Sequence, residues 1–163
     1  MASSMDQQIS APARVHAALT AAGVDARIEE FPSSTRTAQE AADTVGTSVG
    51  QIVKSLVFLA GSSPVMALVS GVNRLDPQRL AELTGAEIGK ADADAVRRTT
   101  GYSIGGVPPI GFPAPIPTFI DRDLLQYDVV WAAAGTPRHV FPIAPNDLVR
   151  VTGGKLADLK LSG

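Results

Sequence analysis

Apolar and polar positions run along this chain in short blocks, and each block reads as one element. Ala13–Ala22 (ARVHAALTAA) is alanine-rich and stops at Gly23, which predicts a helix closed by a C-terminal glycine. Asp25–Phe31 predicts a short strand before Pro32. Thr37 stands three residues before Glu40, the Thr-x-x-Glu form of a capping box, and opens a helix over Ala38–Val45 that Gly46 ends. Thr47 or Ser48 starts a further short turn of helix. Ile52–Ala60 (IVKSLVFLA) is the strongest strand signal, and Val65–Val72 (VMALVSGV) follows it across a Gly61–Pro64 turn, so the two predict a hairpin. Both are apolar on both faces, as central strands covered on each side would be.

The second half continues in the same manner. Asp76 caps a helix to Leu83 with Pro77 at its first position, a clear start signal. Ala86–Ile88 reads as a short strand, and Asp92–Thr99 as a helix that Asp92 or Asp94 caps. Thr118–Asp121 predicts a strand, Asp123–Leu125 a single turn, and Asp128–Ala133 and Val140–Ile143 two strands around Gly135-Thr136-Pro137. Pro145–Val149 predicts a last helix before a short tail. Strands and helices interleave irregularly, and no repeat or linker divides them. The expectation is one α+β domain over residues 13–163, a mixed, mostly antiparallel sheet surrounded by helices, behind a flexible leader at residues 1–12.

Composition narrows the function. At 163 residues the chain can bury one sizeable core, and no apolar run approaches the roughly 20 residues that span a bilayer. The N-terminus lacks the basic and apolar regions of a secretory signal, so the cytoplasm is the expected location and no membrane partner is expected. With no cysteine there are no disulfides, thiolate nucleophiles or cysteine metal ligands. Two distant histidines, His16 and His139, and no His-Glu-x-x-His pattern make a metal site unexpected. Net charge is −2 and evenly spread, without the basic stripe of a DNA-binding domain. Nucleotide-cofactor loops and a Gly-x-Ser-x-Gly elbow are absent, so neither a cofactor nor a serine triad is expected.

Two features carry chemistry. Thr100–Gly111 places Gly105-Gly106 just before Pro108-Pro109, a composition that makes either a plain turn or a rigid loop with exposed amides able to hold a ligand's oxygens. Lys54 interrupts the most apolar strand. Burying an unpartnered ammonium is costly, so it either reaches solvent at the strand end or points into a polar pocket. His139, after Gly135-Thr136-Pro137-Arg138, could serve as acid, base or ligand contact, or be structural.

In order and spacing, these blocks resemble the YbaK/prolyl-tRNA-synthetase-associated family, the editing domains and free-standing deacylases that hydrolyse mischarged aminoacyl-tRNA. The resemblance runs from about Thr35 to Gly153. It rests on Thr35–Ala42 (TRTAQEAA), Gln51–Phe58 (QIVKSLVF), Asn73–Asp76 (NRLD), Thr100–Gly111, Trp131–Gly135 and Pro145–Leu148 (PNDL). It implies a metal-independent ester hydrolase whose substrate is the 3′-terminal aminoacyl-adenosine of a mischarged tRNA, with an aminoacyl-tRNA synthetase as a further partner. Lys54 and Gly105 are then the catalytic candidates. The loop amides would hold the acyl carbonyl, a tRNA ribose hydroxyl would assist water, and no protein nucleophile is needed for so activated an ester. Thr37, Ser70, Gly106, Val107, Pro109, Gly135 and His139 are the substrate-binding candidates. Members specialised for cysteinyl-tRNA tend to carry a serine in the loop that is Ala132-Ala133-Ala134-Gly135 here, a departure that tells against cysteine specificity and toward a small side chain such as alanine. The expected substrate is a tRNA(Pro)-type carrier with a small amino acid such as Ala or Cys. The alternative is a non-catalytic nucleotide- or aminoacyl-binding module, or a regulatory one, on the same fold.

Overall fold

The structure is a computed structural model and describes residues 9–33, 35 and 37–162. Helix α1 (Ala11–Ala21) opens on Ser10, whose hydroxyl accepts from the Ala13 N–H, with Pro12 in its first turn. It begins two residues ahead of the expected start because Ser10 supplies the cap. Residues 1–8 of the expected leader lie outside the described residues.

Strand β1 (Glu29–Glu30) is a remnant of the predicted Asp25–Phe31 strand. Helix α2 (Ala38–Val45) starts at Thr37, whose side chain accepts from the Glu40 N–H, and a 3₁₀ turn over Val49–Gln51 follows from Ser48. Strands β2 (Val53–Ala60) and β3 (Ser63–Ser70) form the expected hairpin, in register from Val53 opposite Ser70 to Ala60 opposite Ser63. The turn is tighter than Gly61–Pro64: only Gly61 and Ser62 lie between the paired ends. Helix α3 (Pro77–Thr84), strand β4 (Ile88–Lys90) and helix α4 (Ala93–Thr100) come next, with Asp76 and Asp92 capping the helices.

After the Gly-Pro loop come β5 (Thr118–Asp121), a 3₁₀ turn over Arg122–Gln126, β6 (Val130–Ala133), β7 (His139–Ile143), α5 (Pro145–Thr152) and β8 (Lys155–Ala157). The strands make two sheets. The larger runs β4-β2-β3-β5-β8, antiparallel at β4-β2-β3 and parallel from β3 through β5 to β8. The smaller, β1-β7-β6, is antiparallel, and an isolated bridge from Ile52 to Trp131 joins it to the start of β2. The fold is the expected α+β domain with mixed pairing, although the single sheet of the sequence reading is two. Strand β8 was not foreseen, because three residues read as tail until β5 offers them a parallel edge.

Strand β3 is buried from Val65 to Ser70 and covered on both faces, as its all-apolar sequence requires. Met66 and Leu68 pack with Val15, Leu19, Ile120 and Phe141 on one side. Val65, Ala67 and Val69 pack with Leu80, Phe119 and Leu159 on the other. Beyond Val53, β2 is only half-buried, and that open flank carries the site.

Candidate active site

Lys54 leaves the apolar strand for a built polar corner. Its Nζ donates to the main-chain carbonyl of Asn73, in the turn after β3. The Asn73 side chain donates to Asp121 and Asp123, at 2.8 Å each. Asp121 is 1% exposed and also accepts from the Ser70 N–H at 3.0 Å and the Asp123 N–H at 2.9 Å. Burial holds the Lys54 ammonium below its ordinary pKa, the negative charge of Asp121 pulls it back up, and Arg74 pushes it down again. Lys54 makes no ion pair among the described residues, so its charge is fixed in place without being neutralised by contact.

That lysine lines a cavity of about 330 Å³ with Thr35, Thr37, Ser55, Gly105, Val107, Thr136 and His139. Apolar wall comes from Ile52, Trp131 and the small side chains of Ala38, Ala41, Ala132 and Ala133. The Gly-Pro loop reaches it from α4. Thr100 donates to the Val96 carbonyl and accepts from the Tyr102 N–H, while the Tyr102 hydroxyl donates to the Gly111 carbonyl at 2.9 Å. Arg14 lies over the Tyr102 ring, 4.7 Å from its centre, so the loop's two ends are pinned to each other and to α1.

Within this loop the two glycines do different work. Gly105 is exposed at the cavity, sits at φ +92°, and its N–H has no partner among the described residues. Gly106 is buried, and its N–H is consumed by the Ser103 carbonyl. A side chain at Gly106 would come within 2.5 Å of the Thr136 main chain, so glycine there lets the loop lie against the β6–β7 turn. In that turn Thr136 Oγ1 lies 2.5 Å from His139 Nδ1 and accepts from the Arg138 N–H. The other ring nitrogen, His139 Nε2, lies 3.9 Å from a Glu30 carboxylate oxygen.

Of the nine residues named from the sequence, the structure brings Lys54, Gly105, Thr37, Val107 and His139 to one cavity wall. It places the other four elsewhere. Ser70 is fully buried; its hydroxyl donates to the Gly50 carbonyl, and its main-chain N–H donates to Asp121. Pro109 lines a separate cavity with Phe112 to Ile116 and Val151. Gly106 backs the loop, and Gly135, at φ +99°, packs against Ala11. Asp121, Asn73, Ser55 and Thr136 belong to the site or its support and were not singled out. For Asp121 the available signal was a carboxylate ending an otherwise apolar strand. Among the described residues no group of His, Asp and Glu could hold a metal ion, and no helix is long and apolar enough to cross a membrane.

The sequence and the fold that carry this cavity have known counterparts. The aminoacyl-tRNA editing domain model matches residues 32–151, and the chain belongs to that family. A candidate Cys-tRNA(Pro)/Cys-tRNA(Cys) deacylase, EbsC of Enterococcus faecalis, is 30% identical over 75% of this chain and 76% of its own length. A solved structure described as a candidate trans-editing enzyme for prolyl-tRNA synthetase superposes with a TM-score of 0.90 at 48% identity, covering 93% of this chain and 98% of the other. The proline–tRNA ligase of Thermoanaerobacter sp. is 30% identical over 60% of this chain, which corresponds to 18% of the ligase. The YbaK-type resemblance of the sequence is thereby borne out.

Proposed function

We propose that the protein is a trans-editing deacylase that hydrolyses the ester of mischarged aminoacyl-tRNA. The observation that carries this reading is the pairing, within an editing-domain chain, of a fixed unneutralised ammonium at Lys54 with an unpartnered amide at Gly105 on the same cavity. Lys54 orients the substrate's polar terminal ribose, and the Gly105 N–H stabilises negative charge on the acyl oxygen as water adds. Thr37, Val107 and His139 bound the space the substrate fills. The ester is already activated, so the chemistry asks for neither a protein nucleophile nor a metal.

The substrate class is a small amino acid, such as alanine or cysteine, on a tRNA(Pro)-type carrier. Four alanines line the cavity, and the relatives named above are assigned to cysteinyl-tRNA and to prolyl-tRNA synthetase. An apolar wall separates substrates by only about 1–3 kcal/mol per methylene, so neighbouring small residues are expected to be cleaved with graded rates. The homologous segment inside proline–tRNA ligases supports a synthetase as partner for this chain, acting in the cytoplasm. The test is a deacylation panel of Ala-, Cys-, Ser- and Pro-charged tRNA(Pro). Cleavage of the small mischarged esters with Pro spared supports the reading; no cleavage above the buffer rate favours a binding module instead.

A further inference from the structure

The two flanks of β2 are unequal, and hydrogen-bond alternation shows which residue matters. The Met66 N–H donates to the Pro117 carbonyl, on the β5 side of β3. The alternate residues Val65, Ala67 and Val69 therefore turn their main chains toward β2, where they face Phe58, Leu56 and Lys54. Two other bonds agree: the Gly71 N–H reaches Ile52 O on the β3 side, and the Gly61 N–H reaches Glu87 O on the β4 side. Val53, Ser55 and Val57 thus present their main-chain groups to the outer edge. There, among the described residues, β4 pairs only from Phe58 to Ala60, and the smaller sheet bridges only at Ile52. Ser55 lies in the gap, where among the described residues no strand pairing or bridge reaches its outer edge.

This gap is where the cavities meet. The main cavity and a second one of about 220 Å³ share Ser55, Leu56, Ile104, Gly105 and Val107. The Ser55 hydroxyl oxygen is buried and has no partner among the described residues, so Ser55 offers these cavities no exposed side-chain donor. Among the described residues no Asp or Glu lines either cavity, so an amine entering here meets neutral acceptors, main-chain carbonyls among them, rather than a carboxylate.

We propose that the main chain of Ser55 binds the aminoacyl group as one residue of an added β-strand, its N–H donating to the acyl carbonyl oxygen and its C=O accepting from the α-amino group. An amino acid ester carries a donor and an acceptor on either side of one Cα, the spacing that an antiparallel hydrogen-bonded pair exchanges. An open strand edge is a template for such pairing. The Ser55 N–H then joins Gly105 as a second donor to the acyl oxygen. This inference rests on the aminoacyl reading of the cavity and adds how the amino acid end is held.

Amide exchange by NMR on the full chain tests it, with alanyl-adenosine whose ester is replaced by an amide as the probe. In the free protein the Ser55 N–H should exchange at least about tenfold faster than those of Lys54 and Leu56, which face β3. Saturating probe should slow Ser55 by about tenfold or more, and Ser55→Ala, which keeps the main chain, should preserve the effect. The propionyl counterpart, lacking the amine, should bind about tenfold more weakly. An unprotected Ser55 N–H at saturation, no binding of the probe, or equal binding of the propionyl form would overturn the proposal. Tests of function remain separate: ester cleavage without Ser55 protection refutes this inference alone, whereas Ser55 protection without any cleavage refutes the deacylase reading.

Discussion

The ammonium of Lys54 rests on the main-chain carbonyl of Asn73, and the Asn73 side chain is the clamp that holds Asp121 and Asp123 together. Because the acceptor for Lys54 is main chain, the Asn73 side chain can be removed without deleting the lysine's own bond. Asn73→Ala leaves the buried Asp121 short of one donor, which costs about 1–3 kcal/mol. Urea denaturation should show that loss. Deacylation should fall by less than it does on removal of Lys54 itself.

Lys54 also makes a pH prediction. Burial is the main cause of its lowered pKa, so the unfolded chain binds this proton more readily than the folded one. In the interval between the lowered folded value and the ordinary 10.5, stability contributed through Lys54 therefore rises with pH. Thermal unfolding of wild type and Lys54→Met across alkaline pH checks this: the wild type should gain on the variant as pH climbs through that window. A constant difference would show that burial does not act on the lysine.

The neighbouring glycines should separate stability from activity. Gly106→Ala sets a Cβ within 2.5 Å of the Thr136 main chain, an overpacking expected to cost about 1–3 kcal/mol and to push the loop off the β6–β7 turn. Gly105→Ala meets only Pro137 Cγ at 3.6 Å, so its cost is the positive φ, about 1–2 kcal/mol. Its larger effect should be on turnover, since Gly105 lines the cavity and its amide is the proposed donor to the acyl oxygen. Melting temperatures and kcat for both variants, measured together, distinguish a packing glycine from a substrate-facing one.

Acid should act through Asp123. The Asn73 side chain and Lys160 hold its carboxylate below the ordinary value of 3.8, so its stabilising contribution is complete above that value and fades as pH falls through the lowered one. Asp123→Asn should therefore narrow the gap in stability between pH 7 and pH 3, as followed by circular dichroism.

Much of the frame was legible because local chemistry declares it. Thr37 and Asp76 cap the helices they were expected to cap, Asp92 is the one of the two expected candidates that caps the next, and the doubly apolar β2–β3 pair reads as a hairpin without any tertiary knowledge. Lys54 stood out because a lysine inside an apolar strand needs a destination. What sequence could not supply was direction. Pro109 shares the loop with Gly105 yet faces a different cavity, and Ser70 lies near the corner in space but points at Gly50. Asp121 read only as the last residue of a strand, and it is burial and the Asn73 contact that show what it supports. The role of Ser55 depends on where β4 stops pairing, a tertiary fact that no residue type announces.

The central claim is that Lys54 and the Gly105 amide act on one ester in one cavity, and single-turnover deacylation of mischarged tRNA(Pro) by wild type and Lys54→Ala tests it most directly. The account predicts that wild type clears the small aminoacyl ester and that the variant, folded by circular dichroism, does so at least about a hundredfold more slowly, a barrier increase of about 2.7 kcal/mol. A folded Lys54→Ala that cleaves at the wild-type rate would contradict it.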